Sequence, residues 1–242
     1  MSIQRRFTRG LQFGIAYTHS KTLGVDDSDY NAVSPYFNPR KWNYMPLAFD
    51  RPNVFVANYV YQLPKVGTKL VGGSTSGIPV RAVLDNWQIS GITSFQTGSP
   101  YSIGLGTTDG HEISGSTEGS RVTIIGDPKL DKSERTFYRW FNTGAFALTP
   151  VGSFGSGSQR YLYNPGINNW DIAVSKRVPL HGETRYVQFR TEMFNTWNHT
   201  QYSGVNTGTN FDATGKQTNA MFGQVTGARG PRLIQLSLKL YF

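Results

Sequence analysis

Four histidines are the side chains best suited to proton transfer or metal binding in this sequence: His19, His111, His181 and His199. None has a histidine four positions away or a nearby carboxylate pair, the spacing that a hydrolytic zinc site requires. We interpret them as loop or strand-end residues. The chain also has no cysteine, which removes thiolate nucleophiles and cysteine-based metal sites. The sequence therefore predicts no catalytic residue, no metal site and no cofactor, and so no enzyme.

Acidic side chains crowd one segment, where Asp26, Asp27 and Asp29 could bind a hard cation through carboxylate oxygens. The segment lacks the glycine and terminal glutamate of a calcium loop, so a solvated acidic turn is the simpler interpretation. Glycine is abundant, but no glycine-rich stretch continues into the Lys-Ser or Lys-Thr pair of a phosphate loop. Nucleotide binding is therefore not predicted.

The formal net charge is +9, from 24 lysines and arginines against 15 acidic residues. These basic residues are scattered and never form a run of five, so nucleic acid is not predicted as a partner. A positive interior or loop surface that attracts anions explains the same charge.

One long segment between candidate strands carries aromatic side chains that could stack on a sugar or a peptide. The alternative is that these rings pack the loops against one another. The four candidates are Trp140, Phe141, Tyr161 and Tyr163.

The composition is typical of membrane strands. Aromatic residues make up 14% of the chain, yet the mean hydropathy is only −0.39. Strands of a membrane barrel show only every second side chain to lipid, which gives this combination. No stretch approaches the roughly 18 consecutive apolar residues of a membrane helix. Six segments alternate at period two: 9–19, 53–63, 86–97, 169–178, 185–197 and 232–242.

The last two segments show the alternation most clearly. Their apolar side chains are predicted to face lipid, and their polar side chains a water-filled or plugged lumen, because a dry core would not accept so many polar groups. Arg190 and Glu192 are expected to pair with Lys239 or Arg232 across the two strands. The lipid-facing set is Val187, Phe189, Met193, Ile234, Leu236, Leu238, Leu240 and Phe242. The lumen-facing set is Gln188, Arg190, Glu192, Gln235 and Lys239.

The connections between the segments alternate in length. Residues 20–52, 98–168 and 198–231 are long, whereas 179–184 is short. Outer-membrane barrels have long loops outside and short turns on the periplasmic side. The connection 64–85 is longer than such a turn. Aromatic residues at the segment ends predict two interfacial girdles: Trp87, Tyr186 and Phe242 at the periplasmic rim, and Tyr17, Phe95, Trp170 and Trp197 at the outer rim.

These patterns predict an all-β protein: an antiparallel meander of about six, up to eight, amphipathic strands in a transmembrane β-barrel. The predicted location is the outer membrane of a Gram-negative bacterium, with membrane lipid as a partner. A small self-contained barrel, used as an adhesin or a pore, is one alternative, and it would need further strands near 101–105 and 121–125. A soluble carbohydrate-binding β-sandwich is the other.

Several segments in a consistent order resemble the C-terminal barrel of Oar-like TonB-dependent outer-membrane receptors. No single segment is diagnostic, but together they span nearly the whole chain. They are 49–55 (FDRPNVF) with Asn58 and Tyr59, 86–92 (NWQISGI), 139–143 (RWFNT), 169–172 (NWDI), 189–195 (FRTEMFN) and 232–236 (RLIQL).

The resemblance implies nutrient uptake through a barrel of about 22 strands whose lumen holds an N-terminal plug. It implies energy coupling through TonB, which acts on the plug. Six predicted strands are too few for such a barrel, so residues 1–242 are interpreted as its C-terminal segment, with the plug and earlier strands outside it. The terminal Phe242, after alternating apolar residues, resembles the signal read by the barrel-assembly machinery.

Overall fold

The computed structural model describes residues 1–27, 36–73, 77–110, 113–114, 119–156, 160–181 and 184–242. Most of its regular structure is β-strand. The longer strands are β1 (Ser2–Thr8), β2 (Leu11–His19), β5 (Asn53–Gln62), β6 (Trp87–Gln96), β11 (Ile167–His181), β12 (Arg185–Phe194) and β15 (Leu233–Tyr241). Shorter strands are β3 (Leu23–Gly24), β4 (Met45–Pro46), β7 (Pro100–Tyr101), β8 (Thr123–Ile124), β9 (Phe146–Ala147), β10 (Leu162–Tyr163), β13 (Tyr202–Val205) and β14 (Val225–Ala228). The α-helices are α1 (Pro39–Trp42), α2 (Val66–Val71) and α3 (Ile78–Leu84), and 3-10 turns cover Lys132–Glu134 and Thr143–Ala145.

The seven longer strands form one sheet, which we call the wall, in the order β1-β2-β5-β6-β11-β12-β15. Each strand is antiparallel to its neighbours, and the spatial order follows the chain. Strands β1 and β15 form the two edges of the sheet. The predicted all-β antiparallel meander is confirmed.

All six predicted strands are present, and the wall contains a seventh, β1. The sequence does not predict β1 because the adjacent Arg5 and Arg6 interrupt its alternation. Strand β11 extends beyond the predicted 169–178, and its register with β12 shifts between Pro179 and His181. The segments near 101–105 and 121–125 contribute only two-residue strands, which pair with β10 and β9 outside the wall.

The register assigns one face of the wall to apolar side chains and the other to polar ones. Directly opposed residues of antiparallel strands share a face. We call the two the apolar face and the polar face. One continuous row on the apolar face is Phe13, Tyr59, Gly91, Ile172, Met193 and Ile234. A row on the polar face is Gln12, Val60, Ser90, Ala173, Glu192 and Gln235.

Three long connections, which we call the cap, leave the wall at the same end. They span residues 20–52, 97–166 and 195–232, and parts of the first two lie outside the described residues. The other end carries the short β11–β12 turn and the connection 64–85, which is longer than a periplasmic turn. That connection contains α2 and α3 and is called the helical hairpin. Asn86, with φ at 60°, turns the chain from α3 into β6.

The hydrophobic core of the described residues lies in the cap. Phe141 and Phe211 are each only 1% exposed, and Phe146 and Phe222 pack with Phe141. Among the described buried hydrophobic residues, Ala173 alone belongs to the wall. Within the same residues, no helix has both the length and the apolar character needed to cross a bilayer.

Candidate functional site on the polar face of the wall

A groove of about 510 Å³ runs along the polar face, bordered by β1, β2, β5, β6, β11 and β12. Alternate residues of these strands belong to the polar face, and their sequence neighbours, among them Phe13, Tyr59 and Ile172, also border the groove. Its polar lining includes Gln4, Gln12, Asn58, Ser90, Asp171, Arg190 and Glu192. The groove can therefore offer hydrogen bonds of both senses, together with charge, to a polar solute.

Arg190 and Glu192 form an ion pair at the edge of this groove. Nη2 of Arg190 lies 2.6 Å from Oε1 of Glu192, and Nε donates to the same oxygen at 2.9 Å. The expected pairing with Lys239 or Arg232 on the neighbouring strand is wrong. Residues two apart on a strand share a face, and the arginine side chain reaches along its own strand instead of across to β15.

A second cavity, of about 340 Å³, adjoins the first between β12 and β15. It brings together every residue of the predicted lumen-facing set, with Ser237 and Tyr241 beside them. The set is Gln188, Arg190, Glu192, Gln235 and Lys239. That these side chains face a lumen stays a prediction, but they do line one polar surface.

The predicted lipid-facing residues of β12 and β15 lie on the apolar face. Val187, Phe189 and Met193 are paired with Leu240, Leu238 and Ile234. The side chains on β15 are strongly exposed, with Leu236 at 64% and Leu238 at 72%, and Phe242 beyond the strand is 97% exposed. Their contact with lipid stays a prediction, and the exposed apolar surface is what such a contact requires.

Aromatic rings line both ends of the wall. At the cap end, Phe95 lies between Phe55 and Trp170, with ring centroids 5.7 and 5.8 Å apart, and Trp170 contacts Trp197 at 6.2 Å. At the hairpin end, Tyr186 stacks on Tyr241 at 4.4 Å, and Trp87 lies under the Lys176 ammonium at 5.2 Å. Trp87 and the rings at the cap end thus lie at the two strand ends where a bilayer interface would lie. Tyr186 pairs with Tyr241 on the polar face, so its expected place in a lipid-facing girdle is wrong.

The four candidate ligand-binding aromatics take part in cap packing. Phe141 is buried in the cap core, and Trp140 and Tyr161 pack against that core. Burial leaves the Phe141 ring inaccessible to a ligand in this arrangement. The Nε1 of Trp140 donates to the Tyr163 carbonyl at 3.2 Å. These contacts correspond to the alternative interpretation, in which the rings hold the loops together.

Asp50 joins two parts of the cap. It is 0% exposed, and it accepts hydrogen bonds from the Thr22 amide at 2.7 Å and from the Tyr163 hydroxyl at 3.1 Å. Burial, followed by this hydrogen bond and the charge of Asp50, raises the pKa of Tyr163 to about 12. No local pattern in the sequence predicts this contact, because 113 positions separate the two side chains.

The acidic segment and the histidines form no site in the described residues. Asp27 makes an ion pair with Arg160 and accepts from the Ala48 amide, whereas Asp29 lies outside the described residues. His111 also lies outside them, and His19 contacts Asn53 at 3.0 Å. No group of three or more metal-ligating acidic or histidine side chains occurs in the part of the chain that the structure describes.

The family of the chain follows from comparison with known proteins. The family model described as outer membrane beta barrel domain matches residues 1–235. This chain belongs to the outer-membrane β-barrel family. It is therefore an outer-membrane protein of a Gram-negative bacterium. No curated protein and no solved structure gives a significant match.

Family membership and fold together exclude the soluble β-sandwich. A sandwich needs two sheets packed face to face over a dry core. Here the only large sheet among the described residues is the wall, and its apolar face is open. An outer-membrane barrel strand has this arrangement because lipid covers the apolar side chains.

Proposed function

We propose that this chain is the C-terminal barrel segment of an Oar-like, TonB-dependent receptor that takes up a nutrient and carries out no enzymatic reaction. The observation that carries the proposal is an unclosed wall beneath a packed cap. In the described residues the wall has seven strands and two separate edges, β1 and β15, so it does not close a barrel, and single-chain bacterial barrels have an even strand number. In a large receptor barrel, additional strands at both edges would close the sheet and bring the strand number to an even value.

The packing of the cap favours a receptor function rather than an open-pore function. The connections 97–166 and 195–232 share a core, and long-range hydrogen bonds join them; the Thr209 amide and hydroxyl each donate to the Gly104 carbonyl at 2.9 Å. A fixed loop surface can recognise a ligand with little ordering cost. Such a surface suits capture outside the cell better than free diffusion through a pore.

The lining of the two cavities suggests the charge of the nutrient. Arg6, Arg190 and Lys239 are opposed there by Asp171 and Glu192, whereas Arg5 pairs with Phe13 and so belongs to the apolar face. Three cations against two carboxylates give a positive surface, which attracts anions. We therefore propose that the transported nutrient, or the part of it that enters the groove, is anionic.

The partners follow from the same proposal. The remaining barrel strands and the plug would complete the wall and fill the polar face, and TonB would act through the plug. Strand β15 with Phe242 would be recognised by the barrel-assembly machinery.

Deletion of Phe242 is expected to slow membrane insertion, measured as the heat-modifiable fraction on gels. Normal insertion of the protein that lacks Phe242 would contradict this role.

Growth on limiting nutrients tests the receptor function. Strains with and without the complete gene are compared on a panel of anionic nutrients, each in the presence and absence of TonB. We expect deletion of the gene to cause a growth defect on one nutrient. Loss of TonB alone should cause the same defect, and loss of both should not make it more severe. A defect that is independent of TonB, together with steady conductance of the purified protein in planar bilayers, would contradict the proposal and favour a pore.

A further inference from the structure

The helical hairpin is a compact unit. Gly67 of α2 packs directly against α3, where a Cβ at this position would lie 2.9 Å from the Arg81 Cα. Only glycine allows so close an approach of the two helices. The two helices therefore pack closely together at Gly67.

Asp85 anchors the hairpin at the end of α3. Its carboxylate is 3% exposed and accepts hydrogen bonds from the Gly67 amide at 2.6 Å and from the Thr68 hydroxyl at 2.6 Å. Burial by itself raises the pKa of Asp85, but these hydrogen bonds and the charge of Lys176 outweigh it and hold the pKa below its usual value. The carboxylate thus remains ionised and ties the start of α2 to the end of α3.

The hairpin is attached to the apolar face of the wall. Trp87 and Lys176 are cross-strand partners, and they share this face with Ile89 and Val174. The Trp87 Nε1 donates to the Val83 carbonyl at 2.9 Å, and the Lys176 Nζ donates to the same oxygen at 3.1 Å. The C-terminal end of α3 therefore lies on the side of the wall that faces lipid, at the level of an aromatic girdle.

The surface of the hairpin is unusually apolar for a periplasmic turn. Val83 is 64% exposed and Leu70 is 69% exposed. Three further apolar side chains are exposed on the same unit: Val66, Ile78 and Leu84. Exposed Lys65 and Lys69 accompany them. Apolar side chains next to lysines, beside a tryptophan, form the pattern of a segment that lies in a membrane interface.

We propose that the helical hairpin is a membrane-interface anchor, which inserts its apolar side chains into the phospholipid leaflet at the hairpin end of the barrel. Three observations favour lipid as the occupant. The hairpin is continuous with the apolar face of the wall. Its Val83 carbonyl accepts a hydrogen bond from Trp87 at the girdle. Its lysines complement anionic headgroups. The anchor would fix the depth of the barrel in the bilayer.

Single-cysteine labelling tests the anchor. The chain has no cysteine, so Leu70→Cys or Val83→Cys introduces a single site in it for an environment-sensitive fluorophore. The protein, produced from its complete gene, is reconstituted into vesicles of phosphatidylethanolamine and phosphatidylglycerol that contain nitroxide-labelled lipid. Val151→Cys, in the cap and 82% exposed, is the matched control. Labelled parent protein gives the background, and heat-dependent gel mobility verifies folding of each variant.

We expect the labels at positions 70 and 83 to emit at shorter wavelength than the label at 151, and to be quenched several-fold more by nitroxide lipid than by aqueous iodide. The shift should weaken when phosphatidylglycerol is omitted. Water-like emission and iodide quenching at 70 and 83 in correctly folded protein would overturn the anchor. Labels that become shielded from water only when a cell extract is added would also overturn it, because the occupant would then be a protein.

Discussion

The wall and the cap bury their apolar side chains in opposite ways. In the cap, Phe141 and Phe211 are each 1% exposed and form a core of the kind found in soluble domains. In the wall, the leucines of β15 are more than half exposed, and the polar face lines the two cavities. The two regions therefore suit different solvents: the cap suits water, and the apolar face of the wall suits lipid.

The difference shows where each region obtains its stability. The cap gains free energy by removing apolar area from water through contacts within the chain. The wall gains it from backbone hydrogen bonds between strands, which have no competitor inside a bilayer, and from the match between apolar side chains and lipid. Substitutions of one residue type should therefore have unequal effects in the two regions.

The largest effect is expected for Phe141→Ala. Removing a fully buried phenylalanine typically costs about 3–5 kcal/mol, because a cavity remains. Phe189→Ala is the matched control on the apolar face of the wall, where Phe189 is 39% exposed. Hydrogen exchange measured by mass spectrometry should show lost protection throughout the cap for the first variant and little change there for the second. Equal losses in the cap and the wall would contradict two separate sources of stability.

The next effect concerns Leu238→Arg in the middle of β15. An arginine on the lipid face near the bilayer midplane costs about 2–4 kcal/mol. Ser237→Arg is the control, since Ser237 belongs to the second polar cavity. Urea unfolding in vesicles should give a lower free energy of unfolding for the first variant than for the second. The reverse order would mean that the two faces have been assigned the wrong way round.

A smaller and local effect is expected at Asp85 on acidification. Its pKa is lowered in the folded hairpin, so its contribution is complete above the ordinary aspartate pKa of about 4 and is lost as the pH falls through the lower folded value. Exchange of the Gly67 and Thr68 amides should accelerate below about pH 4, after correction for intrinsic rates. Asp85→Asn should remove this additional pH dependence. An unchanged pH profile in that variant would show that another group is responsible.

The smallest effect is expected for Glu192→Gln. The side chains of Arg190 and Glu192 are 37% and 31% exposed, so water screens the pair and its loss should cost only about 0–1 kcal/mol. The same substitution increases the positive charge of the cavities, and uptake of an anionic nutrient should improve slightly or stay the same. A large loss of stability would show that the polar face is drier than its exposure indicates.

The wall could be predicted from the sequence to a large extent, because its alternation is a local property. Strand β15 shows why: Leu236, Leu238 and Leu240 alternate with Ser237 and Lys239 without interruption. Strand β1 was not predicted, because the consecutive residues Arg5 and Arg6 interrupt its alternation. The helical hairpin escaped it because α2 and α3 have six and seven residues, too few to establish a helical period.

The cap could not be predicted, because its contacts join distant parts of the chain. Thr209 bonds to Gly104 across 105 positions, and no local pattern in either segment specifies the other. The ion-pair partner of Glu192 was predicted wrongly for a related reason. The register placed Glu192, Lys239 and Arg190 on one face, but the side-chain rotamer decides whether the guanidinium reaches along the strand or across it.

Site-directed spin labelling along β15 tests most directly whether the apolar face of the wall contacts lipid. Single cysteines at positions 234 to 240 are labelled in vesicles, and the accessibility of each label to oxygen, which concentrates in lipid, is compared with its accessibility to a water-soluble nickel complex. We expect oxygen to dominate at Ile234, Leu236, Leu238 and Leu240, and nickel to dominate at Gln235, Ser237 and Lys239. Accessibility without a two-residue period, or with the opposite phase, would contradict the assignment of the two faces.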